Sequence, residues 1–206
     1  MEDAAIHELD LGDGNALFAV FDGHGGNPFF NIGPEVSEYV SKEFTKILLA
    51  EKAYKDKNYI EALDITFRKM DEKIEGPDGV KTLKQLRNKS TAQDGYGDDN
   101  VNGGTGCTAN VVLMTDKKIY CANAGDSRGV LSRQGKAVEL SFDHKPESPE
   151  EEQRIVAAGG NIVMGRVNGG LNLTRSFGDF DYKRKKELPY DKQMITCKPD
   201  IKEFNR

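Results

Sequence analysis

Leu17-Phe18-Ala19-Val20-Phe21-Asp22-Gly23-His24-Gly25-Gly26 is the stretch from which the fold reads outward, an unbroken apolar run that meets an acid, an imidazole and three glycines. Residues 17–21 are short, aromatic and branched enough to predict a strand buried on both faces. Asp22 then stands where the strand surfaces. A carboxylate leaving a core needs a strong partner, because an unpaired charge in low dielectric is costly, and a divalent cation is such a partner. Gly23, Gly25 and Gly26 lack Cβ atoms, so a sharply turned backbone can bring carbonyls and amides close to an ion or a phosphate. His24 hangs over that site with the side chain whose unperturbed pKa lies closest to neutrality, as proton transfer to a leaving group requires. An isolated Asp-Gly-His also fits a plain glycine turn capped by Asp22, so the surroundings decide.

The composition bounds the answer. With 206 residues the chain can bury a real core in one domain. The net charge of −5 argues against nucleic acid as a partner, since phosphate backbones select basic faces. No apolar run approaches the roughly 20 residues that span a bilayer, and Met1-Glu2-Asp3-Ala4-Ala5 lacks the basic end and apolar centre of a signal peptide. The expected location is therefore intracellular, cytoplasmic or nuclear, without a membrane partner. Cys107, Cys121 and Cys197 are odd in number and far apart, which disfavours a disulfide framework or a structural zinc site.

Along the chain, Pro34 opens a helix with Val36, Tyr39, Val40, Phe44, Ile47 and Leu48 on one face. A second helix begins at the capping box Asn58/Glu61, with Ile60, Leu63, Phe67, Met70 and Ile74 as its apolar stripe. Residues 76–106 turn to Gly, Asp, Asn, Lys and Ser and are expected to be a mobile insertion. An EF-hand fails there: counted from Asp94, the third loop position is Tyr96 and the twelfth is not glutamate. Strands follow at 108–114, 119–124 and 129–132, an antiparallel meander whose branched runs call for a covering layer on each face. Ser148 and Pro149 start a further helix that Gly159-Gly160 ends, and its acids Glu147, Glu150, Glu151 and Glu152 read as a solvated first turn. Two more strands are expected at 161–164 and 171–174, and the basic tract 183–186 reads as a solvated loop.

Six motifs now stand in order: Met1-Glu2-Asp3, Asp22-Gly23-His24-Gly25-Gly26, Gly125-Asp126-Ser127-Arg128, Asp143-His144-Lys145-Pro146, Arg166-Val167-Asn168-Gly169 and Gly178-Asp179-Phe180-Asp181-Tyr182. Together they resemble the metal-dependent type 2C (PPM) serine/threonine protein phosphatases. The resemblance implies an α+β fold, an antiparallel β-sandwich flanked by α-helix layers, with two Mg²⁺ or Mn²⁺ ions at one end and a weaker third beside them. It implies that Asp22 bridges the two ions, that Gly23 offers its carbonyl, that Glu2 is an acidic ligand and that Asp126 belongs to the third ion. It implies His24 as the general acid, residues 168–199 as a flap beside the site, and a monomer acting on phosphorylated protein substrates. Hard oxygen donors suit these ions, and two of them about 4 Å apart acidify a shared water enough to attack phosphorus near neutral pH. His24 would then protonate the departing serine or threonine oxygen.

The chain begins after the family's phosphate-holding arginine and ends before its Asp-Gly-x-Trp-Asp strand, so it resembles a C-terminally incomplete domain, residues 1–206 being about the first two thirds of it. The expected activity of the isolated chain is weak or nil, and a catalytically impaired binding or regulatory module is the alternative. A cysteine-dependent phosphatase loop fails, because Cys121 and Arg128 are one residue too far apart for Cys-x₅-Arg and Cys121 lies in an apolar strand. A dinucleotide loop fails too, since Gly103-Gly104-Thr105-Gly106 precedes a strand and not a helix.

Overall fold

The computed structural model describes residues 2–25, 34–90 and 104–206. In chain order the elements are β1 (Asp3–Glu8), β2 (Ala16–Gly25), α1 (Pro34–Ala50), α2 (Lys52–Lys55), α3 (Tyr59–Glu75), α4 (Pro77–Ser90), β3 (Thr105–Cys107), β4 (Ala109–Met114) and β5 (Lys118–Ala124). They continue with β6 (Val130–Arg133), β7 (Lys136–Glu139), α5 (Pro149–Ala157), β8 (Ile162–Val163), β9 (Arg166–Val167), β10 (Phe177–Gly178) and β11 (Asp200–Asn205). Seven strands make one antiparallel sheet in the order β10-β3-β2-β4-β5-β11, with β1 pairing β2. The α+β architecture with a helix layer on the sheet agrees with the fold expected from the motifs.

β2 corrects the reading of its own stretch. Leu17, Ala19 and Phe21 are buried, whereas Val20 is 48% exposed, so the strand is covered on one face only. It also does not end at Phe21: the strand runs through Asp22, Gly23 and His24 to Gly25. Side chains alternate across a strand, so Asp22 and His24 share the face turned away from the Leu17, Ala19 and Phe21 row.

That apolar row packs on α1 and α3. Val36, Val40, Phe44 and Leu48 of α1 meet Leu63, Phe67, Met70 and Ile74 of α3 in one buried cluster. Phe44, Phe67 and Phe177 form its aromatic centre, with ring centroids 5.1 Å apart for Phe67 and Phe177 and 5.5 Å for Phe44 and Phe67. Buried aromatics of this kind contribute about 1.5–3 kcal/mol each by area and a further increment by ring geometry. In α3 Tyr59 takes the core position expected of Ile60, which is 46% exposed. Asn58 does not cap the backbone of α3; its Nδ2 donates to Glu61 Oε2 at 2.5 Å instead.

Residues 77–90 of the expected insertion are helical, and Thr105 and Gly106 belong to β3. Pro77 supplies a preset φ and Asp78 a favourable first-turn charge, while Leu83 is fully buried and Leu86 packs beside it. The polar composition belongs to the outer face of an amphipathic helix. Residues 91–103, including the rejected calcium-loop stretch, lie outside the described residues.

On the opposite side of the sheet, β6 and β7 pair, among the described residues, only with each other, so they do not continue the meander. Leu131 and Leu140 from this hairpin region cover Ile119 and Cys121 in a second cluster. α5 starts where expected, though Ser148 makes no side-chain cap bond and Glu151 is not solvated but 3% exposed. The short hairpin near residue 164 is β8 with β9; residues 171–174 contribute only an isolated bridge from Leu171 to Val167. In the basic tract Lys183 is buried against Asp71, with Nζ 2.8 Å from Oδ2. No described helix is long and apolar enough to cross a membrane.

Candidate active site

The site forms where the sheet forks. The pairing of β2 keeps one register along β3 and β4, with Gly23 opposite Cys107 and Val20 opposite Asn110. Between these pairs Asp22 meets Thr108, and the ladder changes partner atoms: Asp22 N–H donates to Thr108 Oγ1 at 3.0 Å, while Thr108 N–H donates to Asp22 O at 2.9 Å. On the far side of β3 and β4 the neighbours separate there. β5 accompanies β4 as far as Ala124, opposite Ala109, and β10 accompanies β3 from Phe177, opposite Cys107. Local departures of this kind re-aim side chains and interrupt pairing. The chain leaving β5 carries Asp126 and Ser127, and the chain leaving β10 carries Asp179.

Acids converge on this point. Asp3 lies opposite Asp22 in the β1–β2 ladder. Glu2 follows in the same register, its carbonyl accepting Gly23 N–H at 3.1 Å and Ser37 Oγ–H at 2.6 Å. Burial, then the Asp3 carboxyl, then the charge of Asp126 raise the pKa of Asp22 above the ordinary carboxylate value, and His24 pulls the other way. Asp126 is ion-paired with Lys145. Arg128 holds Asp143 with two bonds, at 2.6 and 3.0 Å.

His24 Nε2 is 2.7 Å from Asp179 Oδ2, and Ser176 Oγ donates to the same oxygen at 2.5 Å. Burial alone would raise the Asp179 pKa, but the charge and hydrogen bond of His24, with Ser176, hold it below the ordinary value. Asp179 is therefore an acceptor, and Nε2 of His24 carries the hydrogen between them. For His24 burial works against the charged form, yet Asp179, Asp22 and Asp126 outweigh it and raise the imidazole pKa. Among the described residues Nδ1 of His24 has no hydrogen-bond partner.

The supporting shell is close-packed. Asp179 adopts a left-handed conformation with φ 52°, and a Cβ on Gly106 would collide with its carboxylate. Gly125 has φ 115°, and a Cβ there would come within 2.8 Å of Thr108 Cβ. Gly125 is held from three sides. Its N–H donates to His144 Nδ1 at 3.1 Å, and its carbonyl accepts His144 N–H at 3.0 Å and Asn123 Nδ2–H at 3.1 Å.

Among the described residues no group of three or more His, Cys, Asp or Glu stands close enough to enclose a metal ion. The donor chemistry nevertheless suits a hard divalent cation. Two carboxylates directly opposite on a ladder repel. Burial and that repulsion raise the Asp22 pKa, and a dication held at Asp22 would favour its charged form.

Of the residues singled out in the sequence, Glu2 and Gly23 meet through a backbone hydrogen bond at the end of the β1–β2 pair beside Asp22, His24 shares the strand face of Asp22, and the charge of Asp126 acts on Asp22 and His24. Asp3, Thr108, Ser127, Lys145 and Asp179 were given no role there. Asp3 and Asp179 lay inside motifs already quoted, but only register and a left-handed turn reveal what they face.

The family model described as Protein phosphatase 2C matches residues 1–206. Protein phosphatase 2C 1 of Paramecium tetraurelia is 45% identical over 202 residues, covering 98% of this chain and 62% of its own length. Probable protein phosphatase 2C 21 of Arabidopsis thaliana is 38% identical over 98% of this chain and 62% of its own. The chain thus spans a little under two thirds of these relatives. Among solved structures, a phosphatase from Toxoplasma gondii superimposes with a TM-score of 0.71 at 23% identity, over 99% of this chain and 68% of that one, a likeness of fold. A match along the whole chain, relatives at this identity and the shared fold together establish that the chain belongs to the protein phosphatase 2C family.

Proposed function

We propose that this chain takes part in metal-dependent hydrolysis of phosphoserine and phosphothreonine in proteins, with Asp22 and His24 at the reacting centre. The observation that carries the reading is the placement of Asp22 and His24 two residues apart on one strand face, one opposite a second acid and the other buttressed by a carboxylate. Mg²⁺ or Mn²⁺, held by Asp22, the Gly23 carbonyl and Glu2, with Asp126 serving a further ion, would supply charge neutralisation and water activation. The protein's own contribution is the rest. The backbone that carries Glu2, Asp3 and Asp22 is fixed by hydrogen bonds to neighbouring segments, which limits where their carboxylates can reach. His24 Nδ1 holds a proton that a departing serine or threonine oxygen needs, because that oxygen is a poor leaving group as an alkoxide. Asp179 and Ser176 fix the imidazole plane and keep the charged form accessible near neutral pH.

Absence of a three-ligand cluster among the described residues, and the ion pair that engages Asp126, favour a second reading in which this chain binds phosphoprotein without turning it over. Phosphate release from a phosphothreonine peptide, measured with Mn²⁺ and again after a chelator, separates them. Slow release that the chelator stops and His24→Ala removes supports hydrolysis. Peptide binding with no release supports the binding module.

A further inference from the structure

Thr108 occupies an unusual place in the ladder, since its hydroxyl takes the Asp22 N–H and its side chain is 1% exposed. The same Oγ1 lies 2.6 Å from Ser127 Oγ. Ser127 directly follows Asp126, and Asn110 Nδ2, which also donates to Asn123 Oδ1 at 2.8 Å, reaches the Ser127 carbonyl at 3.5 Å. Two hydroxyls therefore link the backbone under Asp22 to the loop that carries Asp126. Gly125, at the start of that loop, lies so close to Thr108 that a Cβ on it would come within 2.8 Å of the Thr108 side chain.

We propose that the Thr108–Ser127 hydroxyl pair sets the separation between the Asp22 and Asp126 carboxylates, making Thr108 and Ser127 positioning residues for the cation binding assigned to this fork. The inference rests on the reading of Asp22 as a metal-holding residue. Its physical basis is that a hydroxyl can accept from one backbone group while sharing a hydrogen with a second hydroxyl, so one buried side chain fixes two segments at once. Valine has the shape of threonine without the hydroxyl. In Thr108→Val the Asp22 N–H loses its acceptor and Ser127 loses its partner, leaving both acids on less constrained backbone.

The test uses the 206-residue chain, its Thr108→Val, Thr108→Ser and Ser127→Ala variants, and Asp22→Asn as the control for the metal reading. Mn²⁺ binding is read from the electron paramagnetic resonance of free Mn²⁺, and backbone amides from ¹H–¹⁵N spectra without metal. Thr108→Val and Ser127→Ala are expected to weaken Mn²⁺ binding by about 10-fold, as outer-shell changes do, and Thr108→Ser to restore it. Ser127→Ala is also expected to shift the Asp22 amide resonance, although Ser127 does not touch Asp22. An unmoved Asp22 amide in Ser127→Ala overturns the proposal whether or not Mn²⁺ binds. Unchanged Mn²⁺ affinity in Thr108→Val, with Asp22→Asn abolishing binding, overturns it while leaving the metal reading intact. Binding that survives Asp22→Asn removes the metal reading itself.

Discussion

Asp3 and Asp22 face each other directly across the β1–β2 ladder, two like charges at the end of a pairing whose middle buries Ile6 against Ala19. Such pairs destabilise a sheet, and here the acids stand at the fork where the site is built. Asp22→Asn in metal-free protein is expected to raise stability by about 0.5 kcal/mol, because the repulsion disappears while the ladder stays. The pH dependence gives the sign. A carboxyl with a raised folded pKa binds its proton more tightly in the folded chain, so stability falls as pH rises from the ordinary value of 3.8 through the raised one. Chemical denaturation of both proteins at pH 4 and pH 7 should show the stability difference moving in favour of Asp22→Asn at the higher pH, which isolates Asp22 from the other titrating groups.

The His24–Asp179 bond should control how readily the imidazole keeps its charge. Asp179→Asn keeps the size of the side chain but removes its negative charge, leaving burial as the dominant influence on His24. The expected result is a His24 titration, followed by NMR of the ring, that moves below the ordinary value of 6.5. In the unsubstituted chain the raised pKa contributes stability fully present below 6.5 and lost as pH rises through the folded value. Ser176→Ala should move the titration in the same direction by less. A His24 titration indifferent to both changes would detach Asp179 from the site.

Glu151 makes the chain acid-sensitive through a different cluster. It pairs with Arg175 at 2.6 Å and Arg154 at 2.7 Å, and Thr174 donates to it. Burial opposes its charge, but the Arg175 and Arg154 contacts win and lower its pKa from 4.5 to about 2. The lowered pKa means stability present above 4.5 and lost as pH falls toward about 2, roughly 3 kcal/mol across that window. Glu151→Gln should flatten the acid limb of a stability profile and cost about 3–5 kcal/mol at neutral pH, since it leaves buried guanidinium groups without their anion.

Phe177 joins the helix layer to the fork, because it begins β10 beside Cys107 and packs on both Phe44 and Phe67. Truncation to alanine should cost about 3–5 kcal/mol in urea unfolding. A loss below 1 kcal/mol would mean that the aromatic centre does not anchor β10.

Much of this was legible in the sequence where one residue type serves one local rule. Pro34 opened α1, the apolar spacing of α3 marked its core face, and Asp22-Gly23-His24 stood out through chemistry that a plain strand does not need. What stayed hidden depends on distance in the chain. The acid of Glu151 looked like an ordinary helix-start charge until Arg175 came beside it, and Lys183 looked solvated until Asp71 enclosed it. α4 carried too few apolar residues for its helical stripe to outweigh the surrounding polar composition. Thr108 resembled any strand threonine, because its role arises only where one ladder loses its neighbour on the far side.

The most direct test of the account is a Mn²⁺ titration of the chain and of Asp22→Asn, followed by the electron paramagnetic resonance of free Mn²⁺ with thermal unfolding measured on the same samples. The account predicts a weak, chelator-reversible site in the chain that is lost in Asp22→Asn while the metal-free midpoint of unfolding does not fall. Equal Mn²⁺ binding by both proteins would contradict the assignment of Asp22 as the residue around which this centre is built.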